Sequence, residues 1–309
     1  MGKVFELGKL LGIDLKVHYS VSSYFHLFVN YMKKYLAYLL AIAYLLAITL
    51  AEIVTVSVHP VWGITVYITL FMGLILHSAL TSLPAHHELF LSLSLVPLIR
   101  IISLAMPLAV AGIPQTWWFP IIYTPLLATA LLVTRLLGFS WGEIGLQVKR
   151  ISPQLAIALA GFGIGVAQYF ILTDEARATG VILGKTPFLA GFMIVVTTGF
   201  VEEIMFRGVL QRSAVQRFGM WGLVYVSLLY SVVQWIHGSL VNIVFVFVVA
   251  MCLSLAVKKT GSILGVTLAH GIANIVLFLV APLLFQTNGV KIVHYSMLFL
   301  VSWLPRSLL

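Results

Sequence analysis

The stretch LAYLLAIAYLLAITLAEIVTVS at residues 36–57 decides the class of fold. Glu52 is its only charged residue, and most of the other residues are apolar. A helix needs about 20 predominantly apolar residues to cross a bilayer, and this stretch is long enough. Because hydrocarbon offers no partner for backbone N–H and C=O groups, a segment of this kind must be helical. The stretch therefore predicts a membrane-spanning helix.

Similar apolar stretches recur along the rest of the chain. The third contains Pro97, Arg100 and Pro107, which favour a kinked or partly re-entrant segment. The candidate spans lie near residues 36–57, 61–82, 89–111, 117–137, 154–172, 187–210, 218–237, 240–257, 262–284 and 290–305. We expect an all-α, polytopic integral membrane protein with about eight to ten transmembrane helices.

The overall composition agrees with a chain covered by lipid. Hydrophobic residues make up 61% of the sequence and charged residues only 9%. Soluble domains carry roughly 25% charged residues, so this chain lacks the residues for a water-facing surface. The formal net charge is +9. No basic run is interleaved with aromatic residues, so we expect the lipid bilayer, and no nucleic acid, as a partner.

Lysine and arginine residues predict the orientation of the helices. They concentrate in alternate connections, with Lys33 and Lys34 before the first span and Lys258 and Lys259 before the ninth. By the positive-inside rule this pattern favours both termini in the cytoplasm. Residues 1–34 are mixed and amphipathic and lack the features of a cleaved signal peptide, so we expect the first long helix to be an uncleaved anchor.

A polar linker at residues 138–153 divides the chain into two predicted regions. Residues 1–137 would form an N-terminal membrane region, with an amphipathic N-terminus and about four transmembrane helices. Residues 138–309 would form a C-terminal helix bundle that contains a polar cavity. The residues suited to chemistry all lie in this second region, within about 187–284.

The segment GFVEEIMFRGVLQR at residues 199–212 places three charges inside a hydrophobic helix. A charge near the bilayer centre costs about 2.5 to 3.5 kcal/mol on insertion scales, so such residues are candidates for function. Glu203 and Arg207 are four residues apart and are predicted to pair on one helix face. Glu202 points about 100° away from Glu203, so we expect it to face a cavity.

The next helix ends in SVVQWIHG and places His237 near its C-terminal end. The turn between the two helices lies near residues 217–219. Glu202 precedes this turn and His237 follows it by similar distances, roughly 24 to 28 Å along each helix axis. An antiparallel pair would therefore hold Glu202 and His237 at similar depth.

The ninth span supplies LAHGIANIV, in which His270 and Asn274 are four apart and share a face. Glu202 and His237 are suited to deprotonating a water, and His270 and Asn274 to donating hydrogen bonds to an oxyanion. Glutamate and two histidines are also a zinc-type ligand set. A zinc site is feasible, but the closely spaced HExxH pattern that would signal one is absent, so we expect no cofactor.

At these residues the sequence resembles the CPBP family of type II CAAX prenyl endopeptidases and bacteriocin-processing or self-immunity proteins, also called the Abi family. Glu202, Glu203 and Arg207 match its Glu-Glu-xxx-Arg motif, His237 its Phe-xxx-His motif, and His270 with Asn274 its His-xxx-Asn motif. Val233 stands where the family usually has phenylalanine, which concerns the shape of the pocket. The resemblance covers roughly residues 140–285.

The resemblance implies a metal-independent, glutamate-dependent intramembrane endopeptidase, a hydrolase. Glu202 and His237 would activate the water, and His270 and Asn274 would form the oxyanion hole. Glu203 and Arg207 would support them, and Glu203 is a candidate to share in catalysis. The expected substrate is a membrane-associated peptide or protein, with a lipidated, prenylated CAAX-type tail among the candidates.

Two other functions remain open on the sequence. The same residues could hold helices together in a catalytically silent immunity or scaffold protein. They could also form a proton relay in a transporter, although no internal repeat of the kind that many transporters contain is visible.

Overall fold

A computed structural model describes residues 15–81, 83–106, 108, 111–172, 187–237 and 239–285, with side chains from residue 36 onward except those of residues 85, 115, 116, 236 and 237. The chain divides into two compact units, residues 1–46 and 47–309. The first helix passes from one unit into the other. All contacts below belong to the second unit. None of these contacts tests the predicted division of the chain between residues 137 and 138, so this division stays a prediction.

The regular secondary structure of the described residues is entirely helical, as predicted. We number the helices α1 Leu15–Ser57, α2 Pro60–Leu80, α3 Pro84–Leu93, α4 Leu95–Ala105, α5 Gln115–Leu136, α6 Ile151–Ile171, α7 Pro187–Phe218, α8 Met220–Val232, α9 Leu240–Thr260 and α10 Leu264–Leu284. A 3₁₀ segment, Val233–His237, follows α8.

Eight of the described stretches are long and apolar enough to cross a membrane. They correspond to eight of the ten predicted spans, although the third ends at Ala105 and not at 111, and the sixth extends to Phe218 and not to 210. The predicted span at 218–237 appears as a shorter apolar helix, Met220–Trp235. The predicted span at 290–305 lies outside the described residues. The chain is therefore a polytopic α-helical membrane protein.

The third predicted span is broken into α3 and α4. The break falls at Ser94, upstream of Pro97, which lies in the first turn of α4. Proline is tolerated in the first turn of a helix, where its missing N–H would have no intrahelical partner anyway. Arg100, which is also in α4, is buried and forms an ion pair with Glu52 of α1.

Small residues allow α6 to lie directly against α10. A Cβ on Gly161 would come within 2.3 Å of the carbonyl oxygen of Ala269, and one on Gly165 within 2.4 Å of that of Ala273. Such glycines let two membrane helices approach backbone to backbone. Gly163, between Gly161 and Gly165 in sequence, faces open space.

Three connections meet at one end of the bundle. The carbonyl of Gly145 accepts a hydrogen bond from the Ile263 N–H, 3.0 Å away, so the α5–α6 connection lies against the α9–α10 turn. Arg212, near the end of α7, forms an ion pair with Glu143 of the same connection. Lys258 of α9 contacts Met220 at the start of α8. Basic residues of alternate connections therefore gather at the same end, as the loop charges predicted.

Candidate active site

Glu202 and Glu203 lie in α7 between two π-helical stretches, Val195–Val201 and Ile204–Leu210. A π-helix closes its hydrogen bonds from residue i to i+5, is rare, and usually appears as a single turn at functional sites. Gly199 brings the first stretch close to α10, because a Cβ there would lie 2.9 Å from the carbonyl oxygen of Thr267. The two carboxylates thus sit on an irregular part of the helix that is pressed against α10.

Glu203 is fully buried within an ion-pair network. Its Oε1 accepts a hydrogen bond of 3.0 Å from Arg207 Nη1, which confirms the pair predicted from the i,i+4 spacing. His270 Nδ1 lies 3.0 Å from the same oxygen. Within the described part of the chain, Glu203 Oε2 has no hydrogen-bond partner. Glu203 therefore connects α7 to α10 and holds one nitrogen of the His270 ring.

Glu202 faces a different set of groups. The Tyr123 hydroxyl of α5 donates a hydrogen bond of 2.5 Å to Glu202 Oε1, and the Tyr230 hydroxyl of α8 donates one of 3.0 Å to Oε2. An ionised carboxylate offers about four lone-pair sites, so the two oxygens can still accept further hydrogen bonds. The Arg207 guanidinium lies over the Tyr230 ring, 4.3 Å from its centre. The two neighbouring glutamates thus have distinct environments, as their helical offset predicted.

His270 and Asn274 approach the same region from α10. His270 Nε2 lies 3.3 Å from the Tyr230 hydroxyl, so this tyrosine lies between His270 and Glu202. Asn274 Nδ2 donates a hydrogen bond of 3.0 Å to Thr198 Oγ1. The Thr198 hydroxyl in turn donates to the carbonyl of Ile194, 2.8 Å away. The Asn274 amide is therefore held by α7 through one of its two N–H groups.

A cavity of about 150 Å³ lies among these side chains. Its polar lining residues are Gln168, Thr198, Glu202, Arg207, Tyr230, Gln234, His270 and Asn274. Its apolar lining residues come largely from α6, α9 and α10 and include Ile164, Leu172, Phe245, Val249, Leu253 and Phe278. The lining thus offers polar groups for water and apolar groups for an apolar chain.

His237 is the one predicted site residue whose side chain lies outside the described residues. Its backbone ends the 3₁₀ segment that follows α8. Gln234 of the same segment lines the cavity, and Val233 is buried. The structure therefore brings together Glu202, Glu203, Arg207, His270 and Asn274, and the predicted contact of His237 with Glu202 stays a prediction.

Tyr123, Tyr230, Thr198 and Gln234 belong to this arrangement and were missed by the sequence analysis. A pattern could have indicated two of them. Tyr230, Gln234 and His237 follow the i, i+4, i+7 spacing of one helix face. Thr198 likewise precedes Glu202 by four residues. Tyr123 has no comparable pattern, because its place depends on how α5 packs against α7.

Within the described side chains, no group of three or more histidine, cysteine, aspartate or glutamate residues is arranged to hold a metal ion. The ligand set considered above includes His237, whose side chain is not among them. The zinc alternative therefore remains open.

Comparison with known proteins finds a family model that matches the part of the chain forming most of the site. Residues 184–276 match the family model of type II CAAX prenyl endopeptidase Rce1-like proteins. This segment contains all three motifs, and the match confirms the resemblance on which the motif assignment relied. No curated protein and no solved structure matches the chain. The matched family is one of membrane proteases, which act on peptide or protein substrates.

Proposed function

We propose that this protein is an intramembrane endopeptidase in which Glu202 activates a water molecule for attack on a peptide bond. One observation carries the proposal. Glu202, His270 and Asn274 line a single cavity, whereas the adjacent Glu203 is buried in an ion pair with Arg207. A purely structural cluster needs the ion pair but has no need of a second carboxylate beside a cavity.

The first step is removal of a proton from water. The hydroxyls of Tyr123 and Tyr230 hold the Glu202 carboxylate in place, and its remaining lone pairs are free to accept from a water in the cavity. The water gives its proton to Glu202 and its oxygen adds to the carbonyl carbon of the scissile bond. We assign His237 to the same water as a second acceptor, in keeping with the family motif.

The second requirement is stabilisation of the oxyanion. The Asn274 amide nitrogen carries two protons, of which Thr198 accepts one, so the other can be donated into the cavity. Tyr230 uses its proton on Glu202, so its oxygen is left to accept from His270 Nε2. An oxyanion beside His270 would take over this Nε2–H in place of the Tyr230 oxygen, while Nδ1 stays directed at Glu203 Oε1.

The reaction ends when the carbon–nitrogen bond breaks. Glu202 returns the proton that it took from water to the leaving amine, so the carboxylate is regenerated and atoms and charges balance. The products are a new carboxyl terminus and a free amine. No external oxidant, reductant or group donor is required.

The apolar lining residues of the cavity support a substrate from the membrane. Phenylalanine and aliphatic side chains of α6, α9 and α10 suit an apolar chain next to the scissile bond. We propose a membrane-associated peptide or protein tail as the substrate, with a prenylated CAAX-type tail as the first candidate. The basic end of the bundle supports cytoplasmic termini.

The test uses the purified protein in lipid nanodiscs with quenched fluorescent peptides that carry CAAX-type tails, with and without a farnesyl group. We expect cleavage by the wild type and its loss in Glu202→Gln, with an unchanged melting temperature. Cleavage that withstands 1,10-phenanthroline would exclude a zinc requirement. If no tail is cleaved and Glu202→Gln lowers the melting temperature sharply, the scaffold function is favoured. Proton flux in liposomes that depends on Glu202 would favour the transporter.

The membrane side of the site needs a separate test. Cys252 is the single cysteine of the chain, so a Cys252→Ala variant provides a background for one reporter cysteine at a time. Reporters at Lys149 and Lys259 should react with an impermeant maleimide only from the cytoplasmic side. Labelling from the opposite side would reverse the proposed orientation.

A further inference from the structure

A buried ion pair lies outside the cavity. Arg100 Nε donates to Glu52 Oε1, and Arg100 Nη2 donates to Glu52 Oε2 at 2.6 Å. Glu52 is 0% and Arg100 7% exposed, and neither side chain lines the cavity. Both residues precede residues 184–276, the segment that matches the protease family. Charges at membrane depth are costly and usually mark a function, so this pair calls for an explanation.

The Arg100 guanidinium makes a third contact, which suggests a function for the pair. Arg100 Nη2 also donates a hydrogen bond of 2.7 Å to the backbone carbonyl of Val233. Val233 follows the last residue of α8 and begins the 3₁₀ segment Val233–His237. Arg100 thus binds the chain at the point where its helical geometry changes.

The change from α-helix to 3₁₀-helix determines the position of residue 237. An α-helix turns about 100° and rises 1.5 Å per residue, whereas a 3₁₀-helix turns about 120° and rises 2.0 Å. Over the four steps from Val233 to His237 the difference amounts to roughly 80° of rotation and roughly 2 Å of translation. Gln234, which lines the cavity, moves with the same segment.

We infer that the Glu52–Arg100 pair positions the 3₁₀ segment, and with it His237, for catalysis through the Val233 carbonyl. The inference rests on the proposed peptidase function and extends the site to α1 and α4. Arg100 touches no reacting atom and is therefore a positioning residue. Glu52 holds the Arg100 guanidinium in one orientation through two hydrogen bonds. The contact of Arg100 with Val233 is made in that orientation.

A pair that merely braced the helices would behave differently. Its loss would lower stability, and any loss of activity would be the same whether or not residue 237 were a histidine. A positioning pair acts through His237, so its effect should disappear once that side chain is gone. This difference allows a double-mutant cycle to decide between the two.

The main variant is Glu52→Leu combined with Arg100→Met. Replacing both members of a buried pair by apolar residues leaves no uncompensated charge, so the protein should fold. We expect kcat for the best-cleaved peptide to fall roughly tenfold to a hundredfold with KM unchanged, since small displacements at a reacting group have effects of this size. In a His237→Ala background the same pair of substitutions should cause no further loss.

Two further variants sharpen the comparison. Arg100→Lys keeps a charge beside Glu52 but lacks the planar guanidinium that binds both Glu52 and Val233. The kcat of this variant should therefore lie between those of the wild type and the double variant. Arg135→Met removes an exposed arginine of α5 and should leave kcat unchanged.

Hydrogen–deuterium exchange in nanodiscs supplies a measurement that does not depend on activity. Exchange of the peptide that covers residues 233–237 should accelerate in the double variant, while α10 peptides keep their rates. Unchanged exchange at 233–237, or an equal kcat loss in the His237→Ala background, would overturn the inference. If the wild type cleaves nothing, the proposed function fails, and the exchange result still decides whether Arg100 holds the segment.

Discussion

The Tyr123 hydroxyl donates a hydrogen bond of 2.5 Å to Glu202 Oε1, although 79 positions separate the two residues in sequence. Tyr123 belongs to α5, outside the segment that matches the protease family, whereas Glu202 lies within that segment. The candidate active site is therefore completed by a helix that the motifs do not include. The Tyr230 hydroxyl of α8 donates to the other carboxylate oxygen.

Removal of either tyrosine hydroxyl should lower kcat. A hydrogen bond to a charged group contributes about 1.5 to 3 kcal/mol, which corresponds to roughly tenfold to more than a hundredfold in rate. Tyr230→Phe should be the more harmful change, because Tyr230 also contacts His270. Tyr225→Phe, on the same helix but outside the cavity lining, is the control and should retain wild-type kcat. Equal activity of all three variants would contradict a role of the hydroxyls in holding Glu202.

The same substitution should mainly affect activity at Glu202 and mainly affect stability at Glu203. Glu202→Gln removes the proposed base and should lower kcat by about 10²- to 10⁴-fold with little change in melting temperature. Glu203→Gln leaves the buried Arg207 guanidinium without its counter-charge, which should lower the free energy of unfolding by about 3 to 5 kcal/mol. Peptide cleavage and thermal unfolding of both variants provide the measurement. A stability loss in Glu202→Gln that matched the one in Glu203→Gln would argue for a structural cluster.

The hydroxyl of Thr198 should matter for catalysis through Asn274. Thr198→Val keeps the shape of the side chain but removes the acceptor for the Asn274 amide. We expect kcat to fall roughly tenfold, the effect of about one net hydrogen bond. Thr198→Ser retains the hydroxyl and should stay close to the wild type. If Thr198→Val were as active as Thr198→Ser, Asn274 would not need this partner.

Glycines of α6 provide a matched pair of packing variants. Gly161→Ala places a methyl group 2.3 Å from the Ala269 carbonyl oxygen, so α6 must move away from α10. This displacement should lower the melting temperature. Gly163→Ala meets open space and should be neutral or stabilise the helix by about 0.4 to 1 kcal/mol. Because Ala269 precedes His270, Gly161→Ala should also reduce kcat. Comparable melting temperatures of the two variants would show that the close contact is not required.

Glu143, in the α5–α6 connection, should make the stability of the folded protein depend on pH. Hydrogen bonds from the Ser140 backbone N–H and hydroxyl, together with nearby Arg212, hold the pKa of the Glu143 carboxyl below its ordinary value of 4.5. A depressed pKa in the folded protein stabilises it above the unfolded pKa, and the contribution is lost as pH falls through the folded pKa.

The matching measurement is the difference in melting temperature between the wild type and Glu143→Gln. The wild type should be slightly more stable at neutral pH, and the difference should shrink below about pH 4 as the wild-type carboxyl becomes protonated. The effect should be small, because an exposed ion pair contributes little. A difference that grew on acidification would contradict the assignment.

The sequence predicted those features that depend on local pattern. Apolar stretches of spanning length predicted the helices, and the i,i+4 spacing predicted the Glu203–Arg207 pair. Such features are visible because charges are rare in this chain and each must find a partner within the membrane.

Features that depend on contacts between distant helices could not be predicted in the same way. Tyrosine is common in membrane helices, so nothing in the sequence around Tyr123 distinguishes it from the other tyrosines of the chain. The π stretches on either side of the two glutamates and the 3₁₀ segment before Gly238 arise from tertiary packing. Estimates of depth that assumed regular α-helices therefore could not identify which side chains bind to one another.

The two π stretches of α7 have a consequence for the comparison of homologous sequences. A turn that closes from i to i+5 accommodates one residue more than an α-helical turn, so it is equivalent to a single-residue insertion without a loop. A homologue whose helix is regular before the glutamate pair would need a one-residue gap inside the helix at Val195–Val201. Without that gap, an alignment anchored on Glu202 would pair Thr198 with the wrong residue and conceal the partner of Asn274.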